Sequence, residues 1–224
     1  MSDHDSWLAV RGPSKAELLD MLGLEETGEI GWNREVARPY AYASVPSGWT
    51  IIFANFNGLA DIENIRDLSR HGMVLACDFQ DQVDAPSAIL IAARDGAKLW
   101  EIGVVGDEIT ETGTAPPELE PIRDRYAVQL AEDPGCAWMY EVPLELAKAL
   151  CGFRHDEDDS PFRGLRPQPD SRWHRDLKSA DHPESRVTSE PSSWKGISES
   201  ARLIASITII IVLIVLMIGD FGGS

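Results

Sequence analysis

The sequence is short of cations: 20 Lys and Arg stand against 37 Asp and Glu, a formal net charge of −17 over 224 residues. A surface of that sign repels phosphate backbones and anionic headgroups, which argues against nucleic acid as a partner and for a basic protein. Cysteine is scarce too. Cys77, Cys136 and Cys151 form neither C-x-x-C nor a zinc-ligand spacing. Three scattered thiols fit a reducing compartment and read as small buried core residues. Neither G-x-x-x-x-G-K nor G-x-G-x-x-G occurs, so no phosphate-cradling loop is expected. The five histidines (His4, His71, His155, His174, His182) are dispersed and assemble no Ser-His-Asp or Cys-His set. The opening MSDHDSW is acidic and has no apolar core, so no export signal is expected. Nothing in this inventory calls for a cofactor.

What is present is concentrated near the end of the chain. Residues 203–219, LIASITIIIVLIVLMIG, hold no charge and include twelve Ile, Leu or Val. A transmembrane helix takes roughly 17–25 apolar residues, so this run is long enough only for a thin bilayer or with help from its flanks. Arg202 can snorkel to the headgroups, and Trp194 and Lys195 flank the interface. β-branched residues weaken a helix in water, but in lipid the backbone must close its own hydrogen bonds, which selects helix. Leu203, Ile209, Val212, Leu216 and Gly219 are accordingly read as a membrane anchor, with the lipid bilayer as one partner. Arg186, Lys195 and Arg202 all precede the run and no cation follows it. That asymmetry predicts a single-pass, tail-anchored protein with its N-terminal domain in the cytoplasm.

Four stretches follow from composition: an acidic globular domain at 1–154, a disordered polar linker at 155–201, the anchor at 202–219 and a short translocated tail at 220–224. Residues 1–153 carry 26 acidic and 11 basic side chains, so nearly all of the excess charge belongs to the domain. Beyond residue 155, Pro, Ser, Arg, Asp and Glu dominate and apolar residues are isolated, so no periodicity survives.

Within the domain, residues 7–10 read as a strand, followed by a helix started by Ser14 with Glu17 three positions on, the capping-box spacing. Leu18, Leu19 and Leu22 share one face, and Gly23 stops it. Strands at 40–45 and 49–55 flank Pro46-Ser47-Gly48, a hairpin connection. Asp61 caps a short helix bearing Ile62, Ile65 and Leu68, with a stop at Gly72. Strands are expected at 73–79, 87–93, 98–105 and 109–112, with Asp95-Gly96 turning the middle pair. Pro116 and Pro117 open a helix with the stripe Leu119, Ile122, Tyr126, Leu130. Residues 138–142 read as a further strand, and Pro143 as the first residue of a last helix ended by Gly152. The class is α+β: a mainly antiparallel sheet with helices on one face.

The start Trp7-Leu8-Ala9-Val10-Arg11-Gly12 and the run Pro143-Leu144-Glu145-Leu146-Ala147-Lys148-Ala149-Leu150-Cys151-Gly152-Phe153-Arg154-His155-Asp156 resemble the two ends of an uncharacterised family of small bacterial α+β proteins. That resemblance would cover residues 7–157 and implies no activity for any residue. At the level of class, the domain is also similar to immunity proteins that neutralise bacterial toxins, which implies an inhibitor-like binding role.

Three groups could carry chemistry. His155, Asp156 and the acids after them could hold a hard cation weakly, although EF-hand spacing is absent and a solvated domain end explains them equally well. Asp78, Asp81 and Asp84 could act as paired carboxylates or bind Mg²⁺ if they converge, and ordinary loop chemistry explains them too. Trp32, Trp49, Trp100 and Trp138 should mostly fill the core, and any that face outward would be interface anchors. The leading expectation is an acidic protein-binding module on a membrane tether. The alternative is an enzyme with a carboxylate-based site of unidentified class.

Overall fold

The computed structural model describes residues 4–32, 40–54, 59–81, 85–157, 161–169 and 171, all within the compact unit Met1–Lys178. The anchor, Trp194, Lys195 and Arg202 lie outside the described residues. Among the described residues no helix is long and apolar enough to cross a membrane.

The chain is α+β, built, among the described residues, on one nine-stranded sheet. Its strands are β1 (His4–Arg11), β2 (Leu24–Trp32), β3 (Tyr40–Ser44), β4 (Thr50–Ala54), β5 (Met73–Gln80), β6 (Ser87–Arg94), β7 (Ala97–Val105), β8 (Glu108–Gly113) and β9 (Pro161–Pro167). The order across the sheet is β2-β9-β3-β4-β1-β5-β6-β7-β8, and every pairing is antiparallel. The helices are α1 (Lys15–Leu22), α2 (Ile62–Ser69), α3 (Leu119–Glu132) and α4 (Glu141–Cys151).

The expectation of helices on one face is corrected: they cover both. Alternation along β1 sends Trp7 and Ala9 into a core with residues of α3 and α4, and Leu8 and Val10 into a second core with α1 and α2. Central strands buried on both sides lose the polar half of the period-2 pattern. Val74, Leu75, Ala76 and Cys77 of β5 are all buried, and such a run does not reveal that two layers of helix exist.

Local signals operate as expected where they are strong. Ser14 accepts from the Glu17 amide, and the Glu17 carboxylate accepts the Ser14 N–H at 2.8 Å. Gly23 closes α1 in the left-handed region. Asp61 caps α2 through the Glu63 amide. Asp95 and Gly96, with φ of 55° and 76°, make the tight β6–β7 turn.

Three readings are corrected. Residues 138–140 form a 3-10 turn that runs directly into α4, so the strand expected at 138–142 does not exist. Pro143 is the third residue of α4, still in the first turn, where an amide has no intrahelical partner. Most consequentially, β9 lies inside the stretch assigned to the linker, so the ordered domain does not stop at residue 154. β2 has no counterpart among the expected strands either. β2 and β9 pair along their length, Glu25 opposite Arg166 and Gly31 opposite Phe162.

Candidate functional site

The densest ionic cluster is built on α4 and the turn after it. Glu141 and Glu145 sit one helical turn apart, and Gly152 ends the helix in the left-handed region, turning the chain back along it. Arg154 is thereby carried over the same face, 7 % exposed. Its guanidinium bonds Glu145 at 2.6 Å, Asp156 at 2.7 and 3.0 Å, and Glu141, with Glu157 at 3.4 Å. Arg125 of α3 adds a bond to Glu145 at 3.0 Å, and Lys148 bonds Glu157. Four carboxylates therefore share three cations. Burial opposes ionisation of Glu145 and Asp156, but the hydrogen bonds from Arg125 and Arg154 outweigh it and hold both carboxyls below their ordinary range. Burial also disfavours the charge on Arg154, and the carboxylates around it more than compensate. An arginine with four of its five N–H donors bonded within its own chain, and 7 % exposed, is a structural latch.

This placement corrects the solvated end expected at His155, whereas Asp156 and Glu157 are exposed. His155 is 3 % exposed, its ring tilted over Phe79 with centroids 3.8 Å apart. Asp156 faces Arg154. The pair is divided between a hydrophobic contact and an ion pair, which is not the arrangement of two ligands on one cation. Among the described residues no group of three or more His, Cys, Asp or Glu is placed to hold a metal.

Asp78 and Asp81 are not brought together. Asp78 is half-buried on β5, with a parity opposite to Cys77 and Phe79, and so points to the α1–α2 side. Asp81 follows the strand, exposed, and its charge acts on Tyr140 on the α3–α4 side. Asp84 lies outside the described residues. His71 sits just past α2, its amide bonded to the Leu68 carbonyl. Of the tryptophans, Trp49 and Trp100 are buried, Trp138 is half-buried and donates its indole N–H to the Asp133 carbonyl at 3.1 Å, and the Trp32 side chain is not described.

Cys77 and Cys151 are buried as expected, and burial pushes the Cys77 thiol well up. Cys136 departs from the expectation: it is exposed, and its hydrogen bond to Asp133 at 3.3 Å raises its pKa. Thiolate is the reactive form. In the native protein a maleimide or iodoacetamide should therefore label Cys136 alone, and Asp133→Asn should speed that labelling. Stoichiometric labelling of all three thiols before unfolding would contradict this assignment.

Sequence reasoning missed the outward face of α3. Only Leu119 and Tyr126 of this helix are buried. Glu118, just before it, and Glu120, Asp124 and Glu132 on it are exposed, without a cationic partner among the described residues, and Asp124 and Glu132 lie one turn either side of Val128, which is 58 % exposed. Arg123, by contrast, is held by Glu111 of β8 at 2.7 Å. Glu120, Asp124, Val128 and Glu132 recur every four residues in the sequence, but the inward stripe Leu119, Ile122, Tyr126, Leu130 is the stronger helical signal there.

No family model matches the chain, and neither the search of curated proteins nor that of solved structures returns a match. The resemblance at the two ends of the domain therefore transfers no role to any residue.

Proposed function

We propose that this chain is a membrane-tethered binding module whose acidic α+β domain docks a protein partner with a basic surface. The observation that carries the reading is the difference between two sets of carboxylates. Those around Arg154 are paired with cations within the fold, whereas Glu118, Glu120, Asp124 and Glu132 are spread along one exposed helix face with the apolar Val128 among them. Uncompensated charge of one sign steers a partner of the other sign, and an exposed aliphatic group gives the contact an apolar centre. An inhibitor-like mode, in which the acidic helix covers a cationic site on the partner, belongs to this reading. The tether is residues 203–219, with the domain on the cytoplasmic side.

Tagged full-length protein should pellet with membranes and stay soluble when residues 203–224 are removed. Partners captured on it should be basic, and retention should fall about tenfold as ionic strength rises from low to physiological values and beyond. Reversing Glu120, Asp124 and Glu132 to Lys should release the same partners without unfolding the domain, since all three side chains are exposed. Capture that is indifferent to salt and to those reversals overturns the reading.

A further inference from the structure

On the α3–α4 side of the sheet, at the end away from His155, the side chains leave a cavity of about 300 Å³. Its floor is set by strand register. Arg11 of β1 stands opposite Met73 of β5, and Arg94 of β6 lies one residue beyond the Val74–Ala93 pair, so Arg11, Met73 and Arg94 form one row across three adjacent strands. The two arginine backbones are therefore about 10 Å apart, two strand spacings. Leu75 lies behind that row, Trp49 and Trp100 stand at the sides, and Leu150 of α4 and Pro116 contribute from the helical layer.

Two features point to a ligand. Apart from the two arginines, every lining side chain is apolar or aromatic, which is how pockets for small organic molecules are built. In a chain with net charge −17, both charged groups on this wall are cations. Arg11 lies over the Trp49 ring at 4.6 Å with no carboxylate partner among the described residues, and Arg94 has only its exposed neighbour Asp95 at 3.7 Å. Two guanidiniums beside an apolar cavity suit a ligand whose head group carries negative charge.

We propose that this cavity binds a small amphipathic anion: an acyl or aryl body lodged against Leu75, Trp100 and Leu150, with a carboxylate held between Arg11 and Arg94. The site is separate from the acidic face of α3 and does not depend on what docks there.

Calorimetric titration of the full-length protein in detergent-free lipid nanodiscs tests it, with decanoate, 1-decanol and decyltrimethylammonium as probes against empty-disc blanks. Decanoate should bind with one site per chain, at least about tenfold tighter than decanol, with the cation not binding at the site. The double variant R11Q/R94Q should weaken decanoate by at least about tenfold and leave decanol unchanged. Met73→Trp, which fills the cavity floor, should abolish binding of both. Equal binding of decanoate and decanol, or decanoate binding unaltered in R11Q/R94Q, overturns the proposal and places uptake in the anchor or the lipid. Absence of a saturable decanoate site below about 1 mM overturns it as well. The arginines are exposed, so the double variant decides the matter even if Met73→Trp fails to fold.

Discussion

A chain that ends at Arg154 should not fold, and one that ends at Lys178 should. β9 is not an appendage: it sits between β2 and β3 in the sheet. Without it β2 loses its only strand partner among the described residues, and the inner edge of β3 is left bare. Both cores lose a member, Phe162 from the α3–α4 side and Leu165 from the α1–α2 side, each fully buried. Phe162 also completes an aromatic chain, with ring centroids 6.3 Å from Phe53 and 6.0 Å from Phe153, which in turn meets Trp7 at 5.3 Å. Two fully buried side chains of this kind contribute roughly 3–6 kcal/mol by area alone. That is comparable to the whole stability of an ordinary domain, about 5–15 kcal/mol, before any ladder hydrogen bond is counted. The shorter chain should lack the near-ultraviolet dichroism of packed aromatics and show no cooperative urea transition. Phe162→Ala in the longer chain, costing about 3–5 kcal/mol, gives the graded version of the same result. A cooperative transition in the 1–154 chain with undiminished urea dependence would remove β9 from the core.

Why β9 escapes sequence reading is visible in its composition. Pro161-Phe162-Arg163-Gly164-Leu165-Arg166-Pro167 has a proline at each end and just two large apolar residues. Those two alternate correctly, but onto opposite faces, so neither face shows a repeat. Its partner β2 is as unpromising, with three glutamates in Leu24–Trp32. The two make sense only together: Arg166 bonds Glu25 at 2.7 Å across the pair, a complementarity between positions 141 residues apart. Polar strands that satisfy each other over such a distance look like linker when each is taken alone. The 3-10 turn at 138–140 fails for a different reason. Trp138, Met139 and Tyr140 have strand-like side chains, but Met139 and Tyr140 pack beside Val142 in the α3–α4 core and Trp138 is tied back to the Asp133 carbonyl. Packing and one local hydrogen bond override propensity there. By contrast, the capping box of α1 and the Asp95-Gly96 turn were legible because each is decided within four residues. Of the candidate residues, the buried state of His155 could not be foreseen, since it follows from the return of the chain past Gly152 toward β9.

Arg154→Met should destabilise the domain by about 2–4 kcal/mol at neutral pH, below the 3–5 kcal/mol of a fully desolvated ion pair because water still reaches the carboxylates. Those carboxylates are 19–44 % exposed around a guanidinium that is 7 % exposed. Met preserves most of the aliphatic volume, so what is removed is the charge and its hydrogen bonds. Glu141, Glu145 and Asp156 then face one another with Arg125 and Lys148 as the remaining cations nearby. The pH dependence distinguishes this from a packing defect. In the native protein Glu145 and Asp156 titrate below their unfolded values, so their contribution is present above the unfolded range near pH 4 and is lost as pH falls through the folded values. In the variant, repulsion raises the same carboxyls and protonation relieves it. The stability gap between the two proteins should therefore be widest near pH 7 and narrow as pH approaches about 4. Urea denaturation at both pH values measures the gap directly. Adding Glu141→Gln and Glu145→Gln to Arg154→Met should recover part of the loss at pH 7, because the uncompensated charges go with them. A gap that stays constant from pH 7 to pH 4, together with no recovery in the triple variant, would show that Arg154 acts through its packing alone and that the carboxylates around it are not held by its charge.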